Sequence, residues 1–187
     1  KDGVYKMNMK EIFKLATVLG LAVVLQACAV SDRRTIGSQI DDNSISIKAG
    51  NAIEANKTLD EKANINVYVY NGIVLLTGQA PNDDWVAVAG DLVRPVQGVR
   101  DVQNQIRVGN PISFTTKTRD SWITTRVKSL LAGDKEVSAL NVRVFTENGE
   151  VFLMGLVSAA EADKAVEIAR HVDGVSRVIK AFETSYN

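Results

Sequence analysis

Cysteine is almost missing from the sequence. Cys28 stands alone, so no disulfide can form within one molecule, and packing and hydrogen bonds must hold the fold. Histidine is equally scarce: His171 has no second His or Cys with which to complete a metal site of ordinary ligand count. Neither a Gly-x-Ser-x-Gly nucleophile turn nor a glycine-rich phosphate loop occurs. Neither charge is in excess. The chain has 22 basic and 22 acidic residues, spread along its length, so the basic field that nucleic-acid binding needs is absent. Carboxylates such as Asp83, Asp84, Glu161 and Asp163 fall where a helix dipole favours acids in a first turn, which is a simpler reading than an acid–base pair. The expectation is therefore no enzyme, no cofactor, no metal and no nucleic-acid partner.

What is present begins near the N-terminus. Lys10 and Lys14 precede an apolar run, Leu15 to Leu25, of about 11 residues, where a membrane-crossing helix needs about 20. Basic residues, a short apolar run and then a small residue are the layout of a secretory signal peptide. The end of the run, Leu25-Gln26-Ala27-Cys28, resembles the lipobox of bacterial lipoproteins. That resemblance implies cleavage before Cys28, diacylation of its thiol, and a mature chain held at a membrane. Ala29 and Val30 follow with no Asp retention signal, which points to the periplasmic face of an outer membrane. The competing reading is a plain signal peptide with Cys28 incidental. Residues 1–8 are read as upstream sequence, with Met7 or Met9 as the start, and residues 9–27 as the signal. Residues 28–43 are read as a polar tether, within which Thr35 to Ile40 could pair as an edge strand.

The remainder is a repeat. Asn64-Ile-Asn-Val-Tyr-Val-Tyr-Asn-Gly72 lies over Asn141-Val-Arg-Val-Phe-Thr-Glu-Asn-Gly149, about 77 residues apart. Ile73-Val-Leu-Leu-Thr-Gly78 lies over Glu150-Val-Phe-Leu-Met-Gly155, and Val96 to Val102 over Val172 to Val178. Each copy reads helix, strand, strand, helix, strand. Ile45, Ala49, Ala52 and Ile53 form one apolar helical stripe, as do Ile123, Val127, Leu130 and Leu131. The Asn-Gly pairs suit two-residue type I′ hairpins. Gly78 and Gly155 end the second strands, where a side chain is expected to crowd the next turn. Second helices carry Trp85, Val88, Ala89, Leu92, Val93 and Val96 in one copy, and Ala162, Ala165, Ile168, Ala169 and Val172 in the other. Gly98 and Gly174 stop those helices before third strands at Val99 to Val108 and Val175 to Phe182. The fold class is α+β: two tandem domains, each a small three-stranded mixed sheet with two helices on one face. The first spans residues 44–109, the linker 110–118 and the second 119–187.

The paired Val-x-Gly-Val-x-x-Val ends, the Asn-Gly hairpins and the doubling resemble the BON domain, a family of bacterial envelope modules. Lipobox plus two copies is similar to the dual-BON outer-membrane lipoproteins, a division- and outer-membrane-stress-associated lipid-binding group, and to osmotically inducible BON proteins. Close matches include Gly37 to Asp42, Ser121 to Arg126 and Thr146 to Leu156. The resemblance implies binding of anionic phospholipid, phosphatidylglycerol or cardiolipin, at the outer membrane. It also implies a part in envelope integrity and cell division, with no catalysis and no cofactor.

The copies differ at one informative place. Trp122 falls beside the apolar stripe of its helix, just after Ser121 as the expected N-cap, and Ser44 takes its position in the first copy. Trp122, Arg126 and Ser129 share a helical face, with Lys117, Arg119 and Lys128 near in sequence. A tryptophan off the core face among cations is what an interfacial lipid anchor needs, so Trp122, Arg126, Lys128, Arg119 and Lys117 are the candidate lipid-binding residues. The alternative is that Trp122 packs on the linker or on the first copy. Trp85, on a continuous apolar stripe, reads as core, and His171, matched by Pro95, as an exposed helix end. Exposed hairpin aromatics, Tyr68 and Tyr70, keep a periplasmic protein–protein adaptor open as the other function.

Overall fold

A computed structural model describes residues 36–184. The signal segment, Cys28 and the start of the tether lie outside the described residues.

The chain is already helical at Ile36, where α1 (Ile36–Glu54) begins. The end of the expected tether and its edge strand are therefore the first turns of this helix. The reason lies in Asp42, which continues the stripe of Ile45, Ala49 and Ile53 one turn toward the N-terminus. Its buried carboxylate accepts the Asn71 N–H and the Gly72 N–H, each at 2.8 Å. After α2 (Lys57–Lys62), β1 (Asn64–Tyr70) and β2 (Ile73–Ala80) form an antiparallel hairpin. Asn71 (φ 50°) and Gly72 (φ 74°) make its type I′ turn. Then come α3 (Asp83–Val93), β3 (Asp101–Asn104) and β4 (Arg107–Val108). Both short strands run parallel to β2 in one register, Ile73 opposite Asp101 and Gln79 opposite Arg107. They are one third strand, interrupted where the Asn104 amide turns to the Val86 carbonyl and the Ile106 N–H.

The second copy follows the same course. α4 (Phe114–Gly133) leads to a single 3-10 turn (Ala139–Asn141), then β5 (Val142–Glu147) and β6 (Glu150–Val157). α5 (Ala159–Arg170) and β7 (Arg177–Thr184) complete it, the sheet order being β5-β6-β7. α4 starts two turns before Ser121. Its N-cap is Ser113, whose Oγ accepts the Thr116 N–H at 3.1 Å, while the Ser121 hydroxyl donates to the Lys117 carbonyl inside the helix. Asp120 repeats the Asp42 device: it is buried and accepts the Asn148 N–H at 2.7 Å and the Gly149 N–H at 2.9 Å.

Two helices cover one face of each mixed sheet, as expected. Ile45, Ala49, Ile53, Val74, Leu76, Ala89 and Val93 fill the first core, with Trp85 packed against it. Ile123, Val127, Leu131, Val151, Leu153, Ala165 and Ala169 fill the second. Gly78 and Gly155 are required for a reason other than the expected one. A Cβ there would stand 1.9 Å from the Asn64 carbonyl oxygen and 2.1 Å from that of Asn141, so the neighbouring strand, not the next turn, excludes a side chain.

The other faces of the two sheets pack on each other. Tyr70, Leu75, Phe152, Met154 and Ala181 are buried between them. Tyr70 is thus a core residue and not an exposed docking aromatic, and Tyr68 stacks on Phe145 with ring centroids 3.7 Å apart. A fully buried side chain of this size contributes about 1.5–3 kcal/mol, and an exposed ion pair about 0–1 kcal/mol. The apolar patch therefore dominates the association of the copies, and polar contacts at its ends fix its register. At one end Glu183 accepts Asn71 Nδ2 at 2.6 Å and pairs with Arg100 at 2.9 Å. At the other, Glu147 accepts Asn66 Nδ2 and Gln79 Nε2, while Glu150 pairs with Arg107 and Arg177.

Candidate functional site

With both sheets covered on both faces, the outward surfaces are the helices and the sheet edges. On α4 the apolar stripe of Ile123, Val127 and Leu131 is turned inward, which leaves Trp122 53% exposed. The open choice for Trp122 between solvent and packing resolves toward solvent. Phe114, at the first position of α4, is 84% exposed. Eight residues before Trp122, it stands about 12 Å away along the axis and about 80° around it, toward the Lys117–Lys128 side. Phe114 was hidden from sequence reading because the helix was started too late. Ser113 as N-cap was the signal that could have revealed it.

The structure divides the candidate cations between two faces. Trp122, Arg126 and Leu130 line a shallow cleft of 410 Å³ closed by His171, Val172 and Asp173 after α5. His171 is exposed at the helix end, its Nδ1 donating to the Glu167 carbonyl at 2.7 Å. Arg119 lies over the second hairpin, its guanidinium within 3.6 Å of where a Cβ on Gly149 would stand. Arg119, Trp122 and Arg126 therefore form one flank. Lys117 and Lys128 do not join it. They line a separate groove with Ser121, Thr124 and β5.

Electrostatics differ between the ends of the intersheet seam. Burial pushes the Glu147 carboxyl above its ordinary range; the Gln79 hydrogen bond opposes this, the Asp120 charge adds to it and Lys117 eases it. The Tyr68 phenol beside it is also raised, first by burial and then by Glu147. Glu183 goes the other way: the hydrogen bond from Arg100 holds it below the usual carboxylate range. Among the described residues no three His, Cys, Asp or Glu side chains converge as metal ligands, and no helix is long and apolar enough to cross a membrane.

Fold and surface together define a tandem α+β repeat packed sheet to sheet, in which the most exposed aromatics among the described residues are on the first helix of the second copy. The chain belongs to the BON domain family, whose model matches residues 41–110 and 119–185. It is 40% identical to the Outer membrane lipoprotein DolP of Haemophilus influenzae, over 95% of this chain and 98% of that protein. It is 46% identical to the 21 kDa hemolysin of Actinobacillus pleuropneumoniae, over 80% of this chain and 77% of that one. With the Osmotically-inducible protein Y of Escherichia coli it shares 29% identity, over 82% of this chain and 78% of that one.

Proposed function

We propose that this protein is a non-enzymatic lipoprotein of the outer membrane, acylated at Cys28, whose second BON copy binds anionic phospholipid through the exposed side of α4. The observation that carries the reading is Trp122, a large aromatic half in solvent beside Arg119 and Arg126, with Phe114 exposed at the start of the same helix. Aromatic rings of this kind settle at headgroup level, and each nearby cation contributes about 1 kcal/mol toward an anionic surface. The first copy, with Ser44 in place of the tryptophan, acts as packing partner. Lys117 and Lys128, on the adjoining face, add longer-range attraction. The name of the Haemophilus relative, an outer membrane lipoprotein, supports the localisation, as does the Leu-x-Ala-Cys motif. A role in envelope integrity, at division sites in particular, follows from the family resemblance.

Vesicle co-sedimentation tests the reading, with thermal stability measured alongside. Binding is expected to prefer phosphatidylglycerol or cardiolipin vesicles over neutral ones and to weaken with salt, since the Debye length is about 8 Å at physiological ionic strength. Trp122→Glu should lower vesicle binding at least tenfold without changing the melting temperature, because Ile123, Val127 and Leu131 still fill the core. Undiminished binding by this variant, or a melting temperature several degrees lower, would send the search for the lipid surface elsewhere.

A further inference from the structure

The cleft beside Trp122 is assembled from two elements. α4 supplies Trp122, Arg126 and Leu130, and the turn after α5 supplies His171, Val172 and Asp173. Val172 is buried and Leu130 half-buried, so the floor is apolar. Its volume of 410 Å³ lies within the roughly 300–1,000 Å³ of small-molecule sites. The first copy has a cleft at the corresponding place, lined by Ser44, Lys48 and Gln97. A cation is thus kept in both copies. The ring of Trp122, the imidazole of His171 in place of Pro95, and the carboxylate of Asp173 in place of Gln97 are particular to the second. Three changes, on two separate elements, meet in one cleft.

Arg126 and Asp173 stand on different walls of this cleft, and among the described residues neither they nor Arg119 are in an ion pair. Opposite charges left apart in one cleft match a ligand that carries an anion and hydrogen-bond donors together. His171 adds an acceptor: its Nδ1 donates to the Glu167 carbonyl at 2.7 Å, which leaves Nε2 to accept. The unpaired charges of the flank are Arg119 and Arg126 against Asp173, an excess of one positive charge. A phosphodiester bearing hydroxyls satisfies all of these groups. A zwitterionic headgroup leaves the excess unbalanced, and a bare phosphate monoester sets more negative charge against Asp173 with no donor for it.

We propose that this cleft recognises the glycerol headgroup of phosphatidylglycerol, a reading that rests on lipid binding by α4 and adds the residues that select the lipid. Arg126 pairs with the phosphodiester, Asp173 and His171 Nε2 accept the glycerol hydroxyls, and Trp122 and Leu130 meet the apolar edge of the lipid. Asp173 is the specificity-determining residue. By itself a carboxylate beside an anionic surface weakens binding; with hydroxyls donating to it, it favours one headgroup over others of like charge. Phosphatidic acid lacks those donors, and cardiolipin has a single hydroxyl between its two phosphates, so both meet Asp173 less well.

The test is co-sedimentation of the full chain with phosphatidylcholine vesicles that contain phosphatidylglycerol or the same fraction of phosphatidic acid. The phosphomonoester of phosphatidic acid carries about −1.5 to −2 charges at neutral pH, so attraction by charge alone would favour it. The parent protein should instead bind phosphatidylglycerol about tenfold more tightly. Asp173→Ala should weaken phosphatidylglycerol binding and strengthen phosphatidic acid binding, erasing that ratio at an unchanged melting temperature, since Asp173 is exposed. Asp173→Asn keeps an acceptor oxygen and should retain most of the phosphatidylglycerol binding. If Asp173→Ala strengthens binding to both lipids alike, or the parent prefers phosphatidic acid, the carboxylate is only a repulsive neighbour and the proposal falls, while lipid binding by α4 stands. A parent that sediments with neither lipid would overturn both. Displacement of the protein from vesicles by millimolar deacylated phosphatidylglycerol would overturn the assignment to a membrane lipid and give the cleft to a soluble glycerophosphate.

Discussion

Asp120→Ala should be far more costly than the removal of any exposed or half-exposed acid on these helices. The carboxylate is buried and accepts two backbone N–H groups, from Asn148 at 2.7 Å and Gly149 at 2.9 Å. Hydrogen bonds to a charged group contribute about 1.5–3 kcal/mol each, and a buried N–H left without a partner costs a further part of its desolvation. Gly149 is buried, so water cannot simply replace the carboxylate there. The expected loss is about 3–5 kcal/mol, a large share of the 5–15 kcal/mol that holds a typical domain together. Asp120→Asn should lose nearly as much, because its amide group would turn an N–H toward an N–H. Asp42→Ala should behave alike in the first copy, whereas exposed Asp41→Ala should stay within about 0.5 kcal/mol. Urea unfolding at neutral pH gives the differences, and exchange of the Gly149 amide reports whether the turn has come loose. A loss below about 1 kcal/mol with the Gly149 amide still protected would show that the carboxylate does not clamp the hairpin to the helix.

Two further outcomes follow from the seam between the sheets. Thr77 is buried there with its hydroxyl unpartnered, and the second copy has Met154 at that position; Thr77→Val should therefore stabilise by about 1 kcal/mol in urea titrations, and a loss of stability would mean the hydroxyl is satisfied. Glu183, held below the usual range by Arg100, stabilises the fold at pH above its unfolded pKa, and that contribution disappears as pH falls through the lower folded value. Glu147, raised by burial, has the opposite sign and costs stability as pH rises through its folded value. Arg100→Ala should accordingly flatten the acid limb of a urea-midpoint profile below the ordinary carboxylate range, and an unchanged limb would remove Glu183 from the account.

Repeat, hairpins and core stripes were legible because each rests on local chemistry: Asn-Gly at two turns, apolar residues at helical spacing, glycines at matching places. Helix starts were not. Asp42 and Asp120 look like solvent-side acids, yet each stands three residues ahead of its stripe, on the core face, and only the hairpin seen in three dimensions explains them. A carboxylate at the same stripe position in both copies was the available signal. The sheet-to-sheet packing was also missed, although β2 and β6 hinted at it. Ile73-Val-Leu-Leu76 and Val151-Phe-Leu-Met154 are continuous apolar runs, and a strand buried on one face only would alternate. The candidate site was half legible. The exposure of Trp122 was legible from its place beside the stripe, whereas that of Phe114 and the separation of Lys117 and Lys128 from Trp122 depend on where α4 begins and on which side of it β5 lies.

The way the copies meet explains where their differences can matter. Tyr68 and Phe145 occupy the same position in the two repeats, and they stack on each other. Arg107 of the first copy reaches Glu150 beside the second hairpin, while Glu183, at the corresponding place in the second copy, reaches Asn71 in the first hairpin. Reciprocal contacts between equivalent positions are those of a two-fold pair, built here within one chain. Such packing consumes the same face of both sheets and holds both copies to the same core. Substitutions that set the copies apart are then tolerated chiefly on the outer helices and along the free strand edges. The changes singled out here fall on those two surfaces: Trp122 for Ser44 on the outer side of the first helix, and Lys117 and Lys128 for Gln39 and Gly50 beside β5. An internal pair with identical outer faces would present each surface twice, facing opposite ways. Divergence of one copy gives the molecule two unlike outer faces, and an anchored protein can use a one-sided surface in a way that a symmetric one cannot.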